Sequence, residues 1–227
     1  AFRLVRTNIS YLFNQTEQKA KTILVSSSIQ GEGKTFIAIN LAISLANINQ
    51  KVLLLGMDLR APKILRYFQM KKRKGLTNYL VEDVNSLNDL IFKSPTNENL
   101  YILPSGEIPP NPAELLLRER MKSVFEKIWK EFDYIIIDTA PVGMVVDTLL
   151  LKDYAHLFIF VIKANYLDKR HLKMIDDLHK ENRVSSMSLL LNGVSENAGQ
   201  GYGYGYGYGY GYGYGYGKKV KKWWQFK

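Results

Sequence analysis

The sequence predicts an α/β domain, a mostly parallel sheet with helices on both faces, followed by a disordered C-terminal tail. Three observations carry that expectation. Short apolar runs recur without polar alternation, as in strands buried on both faces. Segments with helical spacing separate those runs, and strand–helix alternation implies parallel pairing with the helices as crossovers. From Gly201 the composition changes to a strict Gly-Tyr repeat that ends at Gly217.

The elements follow in order. Phe2, Val5, Ile9, Leu12 and Phe13 are three or four apart where neighbours matter, so the first twenty residues read as an amphipathic helix. Residues 22–25 form an apolar strand, 26–35 the turn after it, and 36–46 the next helix. A second strand at 51–57 completes a strand, loop, helix, strand unit. Residues 71–98 read as a charged linker with short helices, punctuated by Gly75 and Pro95. A short strand at 100–103 leads into a proline-rich loop at 104–112 and a long amphipathic helix at 113–132. Residues 134–138, 157–162 and 188–191 are three further strands, with helical stretches near 145–154 and 168–182. In the tail, glycine at every second position leaves the backbone little reason to fold.

With 227 residues, 46% of them hydrophobic, the chain can build one sizeable core plus an appendage. Cysteine is absent, which excludes a disulfide scaffold, a thiolate metal site and a cysteine nucleophile. No run approaches the ~18 apolar residues of a membrane span, and Ala1-Phe2-Arg3-Leu4-Val5-Arg6 lacks the signal-peptide pattern, so the chain itself is expected to be soluble. It begins without methionine, partway into a helical pattern, which predicts a segment of a longer polypeptide. Five lysines in the last ten residues supply half of the net charge of +10, leaving +5 for residues 1–217. No basic stripe runs through the remainder, so nucleic acid is not an expected partner. Three segments result: a folded body at 1–200, the Gly-Tyr tract at 201–217 and a basic aromatic terminus at 218–227.

The chemistry centres on Gly31-Glu32-Gly33-Lys34-Thr35. Glycines at the mouth of a helix let backbone N–H groups converge on phosphate oxygens, where the helix dipole is positive. In such a P-loop Lys34 would bridge the β- and γ-phosphates of ATP, the Thr35 hydroxyl would ligate Mg²⁺ and the Phe36 amide would help hold phosphate. Ser28 stands where the general pattern G-x-x-x-x-G-K-[ST] has its first glycine. Two apolar strands end in acids, Asp58 and Asp138. In a parallel sheet these carboxylates and Lys34 share one edge and can converge on a magnesium-bound nucleotide. Each acid taken singly also suits a helix cap or turn.

The segments SSSIQGEGKT, LLLGMDLRAP and YIIIDTAPV resemble the three nucleotide motifs of the bacterial tyrosine kinases of exopolysaccharide and capsule assembly. The resemblance extends to Phe2-Arg3-Leu4-Val5-Arg6-Thr7-Asn8, to Leu103-Pro104-Ser105-Gly106 and Pro109-Pro110-Asn111-Pro112-Ala113-Glu114-Leu115-Leu116, and to the tyrosine cluster. It implies a P-loop NTPase-like kinase domain at 1–200 that uses ATP and Mg²⁺ to phosphorylate tyrosines in a C-terminal tail, mainly between neighbouring subunits. By the same resemblance Asp58 and Asp138 are metal-binding acids, while Arg3 and Arg6 belong to a helix through which family members associate into rings. Gly31, Glu32, Gly33, Lys34, Thr35 and Phe36 are the expected ATP contacts. Asn192, after the last strand, matches a position where related P-loop proteins touch adenine. The family context further implies a transmembrane adaptor, fused upstream or separate, a partner tyrosine phosphatase, and a place at the cytoplasmic face of the inner membrane, where tail phosphorylation governs polysaccharide export.

Three positions depart from the family pattern. Gln30 and Ala140 replace prolines, and Gly56 stands where an acid is proposed to help deprotonate the incoming tyrosine. Tyrosine ionises near ~10 in water, so an acceptor helps, and Asp58, alone or with Asp138, is expected to serve both metal and hydroxyl. Ile29 occupies the place of the extra lysine found in related partitioning and division ATPases, which favours a kinase over a dimer-switch ATPase.

Tyr202, Tyr204, Tyr206, Tyr208, Tyr210, Tyr212, Tyr214 and Tyr216 are the expected phosphoacceptors. Taken alone, the tract would equally suit an adhesive or condensate-forming spacer. The terminus Lys218-Lys219-Val220-Lys221-Lys222-Trp223-Trp224-Gln225-Phe226-Lys227 suits an anionic membrane surface, phosphotyrosines, or no partner at all. Lys71-Lys72-Arg73-Lys74 reads as a solvated loop, and His156, His171 and His179 lack metal-ligand spacing. The alternative to a tyrosine autokinase is a P-loop ATPase assembly switch that never transfers phosphate to tyrosine. A non-enzymatic adhesive scaffold, indifferent to ATP, is the third reading.

Overall fold

The computed structural model describes residues 1–13, 20–181, 183, 184 and 186–194, all within one unit, Ala1–Val194. The Gly-Tyr tract and the basic aromatic terminus lie outside the described residues, as does the end of the first predicted helix.

Seven strands form one sheet: β1 (Lys21–Ser27), β2 (Val52–Met57), β3 (Phe92–Lys93), β4 (Leu100–Leu103), β5 (Tyr134–Thr139), β6 (Leu157–Lys163) and β7 (Met187–Asn192), in the order β3-β4-β2-β5-β1-β6-β7. Every pairing is parallel except β3 with β4. The absence of polar alternation in the sequence is explained by burial on both sides. Along β2, Leu53 and Leu55 enter one core while Leu54 enters the other, and along β5 Ile135 and Ile137 oppose Ile136 in the same way. Truncating such a side chain to alanine costs ~2–5 kcal/mol, since neighbours close the cavity only partly.

The helices include α1 (Phe2–Leu12), α2 (Lys34–Ala46), the short α3 (Ile64–Tyr67), α4 (Leu76–Leu80) and α5 (Pro112–Leu116), and α6 (Glu119–Glu131); α1 and α2 matter for the site, and α6 lies on the opposite face. Helix α2 is apolar nearly all round because it is sandwiched: Ile37, Leu41 and Leu45 are buried, and α1 covers its outer side. Arg6 Nη1 donates to the Ser44 carbonyl oxygen at 2.7 Å, and the Phe2 and Phe36 rings meet edge to face at 5.9 Å.

The fold differs from the sequence reading in three places. The predicted helix at 113–132 is two helices, α5 (Pro112–Leu116) and α6, with Arg118 extended between them at φ −67° and ψ 145°. No glycine or proline marks the break; Arg118 instead reaches the Leu80 carbonyl at 2.9 Å and Arg120 the Tyr79 carbonyl at 2.9 Å. Val146–Tyr154 is a 3₁₀ segment rather than an α-helix. Strand β3, two residues long, was not expected at all.

Register decides where the chemistry gathers. Asp138 is level with Val25 of β1 on one side and with Gly56 of β2 on the other. Asp58 lies one residue past the end of β2, and the glycine loop leaves β1 directly after Ser27. Three chain segments distant in sequence therefore meet at one carboxyl edge.

Candidate active site

The loop between β1 and α2 is pinned before any ligand is considered. Gly33, the residue preceding α2, has φ 97°, a left-handed conformation that strains side chains, and a Cβ there would collide with the Asn192 side-chain amide. The first turn of α2 then offers the amides of Lys34, Thr35 and Phe36, which have no partner within a helix. Glu32 is fully buried with its carboxylate turned inward: it accepts from the Ile29 amide at 2.9 Å and the Lys163 amide at 3.4 Å. Its expected part in ATP binding is thereby narrowed to the backbone, while its side chain ties the loop to β6. Asn192 Nδ2 donates to the Glu32 carbonyl at 2.9 Å, so this residue forms a wall of the loop.

Lys34 and Asp58 are both buried, and the ammonium Nζ lies 3.1 Å from Asp58 Oδ2. The other oxygen of Asp58 accepts the Ala61 amide at 3.0 Å, so the acid is also a turn residue. A phosphate that reaches Lys34 competes with Asp58 for its charge. Asp138 is 1% exposed, and its Oδ1 has no hydrogen-bond partner. Burial pushes this carboxyl up to about 7, against the pull of the Lys34 charge and the Thr35 hydroxyl. A buried carboxylate with an unpartnered oxygen, a hydroxyl beside it and a second carboxylate near the same ammonium make a hard-oxygen donor set that fits a magnesium–triphosphate.

Gly56 is a packing requirement. A Cβ built on it would lie 2.9 Å from the Ser105 amide nitrogen and 3.3 Å from Ile64 Cδ1. The proline-rich loop thus occupies the space that an acid at position 56 would need. Arg60, which the sequence reading passed over, pairs with buried Asp147 at 2.8 Å and walls a small recess of about 70 Å³ beside Lys34 and Asp58.

Past Asp58 and Asp138 the site opens into a cavity of about 900 Å³. Lys63, Arg66, Lys72, Arg73 and Lys74 line it. The basic run expected to be a solvated loop therefore contributes three residues to the wall of this cavity. Arg3 and Arg6 lie apart from the site on α1, where Arg3 is exposed and Arg6 is committed to Ser44.

A family model described as an AAA domain matches residues 20–184. The chain is similar to the tyrosine-protein kinase CpsD of Streptococcus agalactiae serotype Ia, with 34% identity over 197 residues that cover 86% of this chain and 82% of the relative. The chain belongs to the bacterial tyrosine kinases. Among solved structures, the kinase domain of the Escherichia coli tyrosine kinase ETK matches with a TM-score of 0.80 at 28% identity, covering 91% of this chain and 79% of that one. The chimerical protein CapA2B2 matches with a TM-score of 0.76, also at 28% identity, over 86% of this chain and 84% of its own. In this bacterial tyrosine kinase Lys34, Asp58 and Asp138 meet at one carboxyl edge of the sheet. No helix among the described residues is long and apolar enough to cross a membrane.

Proposed function

We propose that this kinase transfers the γ-phosphate of ATP to Tyr202, Tyr204, Tyr206, Tyr208, Tyr210, Tyr212, Tyr214 and Tyr216 of its own or a neighbouring subunit's tail. The observation that carries this reading is the 3.1 Å pairing of Lys34 with Asp58 at the mouth of α2, with Asp138 level in the sheet. Residues 1–200 are then the kinase domain, 201–217 the acceptor tail and 218–227 a basic aromatic terminus. Backbone amides at Gly31 to Phe36 hold the phosphates, Lys34 leaves Asp58 to bridge the β- and γ-groups, and Asn192 borders the adenine. Thr35, Asp58 and Asp138 would hold Mg²⁺, which neutralises charge on the transferring group.

The tyrosine oxygen forms its bond to the γ-phosphorus as the bond from that phosphorus to the β-bridging oxygen breaks. ADP departs, and the phenolic proton passes to the Asp58 carboxylate. Position 56 cannot supply this base, because the Ser105 amide fills the space. Subunits associate through α1 in a ring, with exposed Arg3 reaching the neighbour and Arg6 holding the helix that presents it. The family resemblance supports a membrane adaptor, a partner phosphatase, a place at the inner face of the membrane, and control of capsule or exopolysaccharide polymerisation and export.

Mass spectrometry of the 227-residue chain after incubation with Mg·ATP tests the reading. Phosphate on tyrosines 202–216, absent in Lys34→Met, is the expected result. ATP hydrolysis with no modified tyrosine would instead identify an assembly-switch ATPase.

A further inference from the structure

The 900 Å³ cavity has a composition that the transfer reaction does not account for. None of residues 28–36 lines it, so it is not the phosphate pocket; it lies on the β2 and β4 side of Asp58, bounded by the segments that follow those strands. Five cations line it, against Glu107 and the two site acids. Lys74 pairs with Asp83 at 2.9 Å, and the Arg73 guanidinium lies 4.0 Å over the Phe92 ring. Lys63, Arg66 and Lys72 make no ion pair among the described residues. Their charge faces a cavity that ends at the carboxylates where a tyrosine hydroxyl would react.

We propose that Lys63, Arg66 and Lys72 form a phosphotyrosine subsite, which holds an already modified tyrosine of the tail while a second tyrosine of the same tail reaches Asp58. The inference deepens the kinase reading and rests on it for the identity of the occupant. That occupant is the 201–217 tract, reached after the six residues that follow Val194. An extended chain spans at most ~3.3–3.6 Å per residue, so Tyr202 lies within about 28 Å of residue 194 and Tyr216 within about 80 Å. Bound extended, tyrosines two apart share a face at a separation of ~6.6 Å. A phosphotyrosine carries about −1.5 to −2 charge, and arginine can meet it with two parallel N–H donors. Product of one transfer is therefore a ligand for the site of the next, and the tail acquires phosphates in bursts.

The test needs no catalysis. Fluorescein-labelled Gly-Tyr-Gly-pTyr-Gly-Tyr-Gly and its unphosphorylated counterpart are titrated against the full chain by fluorescence anisotropy. The phosphopeptide is expected to bind at least tenfold more tightly, with a preference that weakens as salt rises. The exposed pair Arg66→Gln with Lys72→Gln should abolish that preference with an unchanged melting temperature, and Arg66→Lys with Lys72→Arg should restore it. Equal affinity for the two peptides, or a preference that survives the glutamine pair, overturns the subsite. So does displacement of the phosphopeptide by a non-hydrolysable Mg·ATP analogue, which would place it in the phosphate loop. A chain that discriminates the peptides but never modifies its own tyrosines would keep the subsite and remove the kinase reading. In the time course of intact phosphoforms, the glutamine pair should lower the rate of the second transfer relative to the first.

Discussion

The two sides of Asp58 are built on opposite principles. Toward β1, nearly every group is buried and tied: Glu32 bridges two amides, Asn192 closes over the loop, and Lys34 is held by Asp58. Toward β4, the charges are exposed and mostly unpaired around an open cavity. The tied side holds most of its groups in place before any phosphate arrives, with the Lys34–Asp58 pair left to exchange partners, whereas exposed charges can follow a ligand that changes position. The contrast teaches that a tied, buried edge and an open basic cavity share one carboxylate, so each can be perturbed without the other.

The largest expected effect is at the tied side. Lys34→Met should reduce tyrosine phosphorylation by roughly 10²–10³-fold, measured by transfer of labelled γ-phosphate, because the cation that meets the developing charge is lost. Gly56→Asp comes next. The added side chain meets the Ser105 amide, so the variant should lose about 1–3 kcal/mol of stability in denaturant titration instead of gaining a catalytic base. That outcome would show the close contact to be structural, and a stable, faster enzyme would refute it.

Asp138→Asn should separate stability from activity. Burial raises the folded-state carboxyl to about 7, above its unfolded value, so the wild type is favoured at low pH and loses that contribution as pH rises through 7. Measured without nucleotide or magnesium, the melting temperature of the variant should exceed the wild type by a growing margin from pH 5 to 7, levelling off above, while transfer falls. The smallest effect is remote from both sides. His156 accepts the Thr22 amide through Nδ1 at 2.9 Å, and burial lowers its proton affinity. The unfolded chain therefore binds the extra proton, stability falls as pH drops below ~6.5, and His156→Asn should flatten that slope in thermal melts.

Much of this was legible in sequence. Apolar runs such as residues 53–55 and 135–137 announced strands because both faces are buried, and the glycine loop announced the tight turn into α2, where Gly31 and Gly33 take left-handed backbone. The split between α5 and α6 was hidden, since long-range contacts from Arg118 and Arg120 accompany it and no local breaker marks it. Strand β3 is too short to show a period. The inward turn of Glu32 depends on amides at positions 29 and 163, and the run at 71–74, exposed as its charge suggested, also borders a cavity that nothing local reveals. Gly56 read as a missing acid; only packing shows that the space is already taken.

Asn192 ends β7 two residues before Val194, and its amide grips the Glu32 carbonyl. The last described strand is thus fastened to the glycine loop. A displacement at the end of β7 would therefore shift the carbonyl that shapes the mouth of α2, so the edge strand and the glycine loop answer to one hydrogen bond.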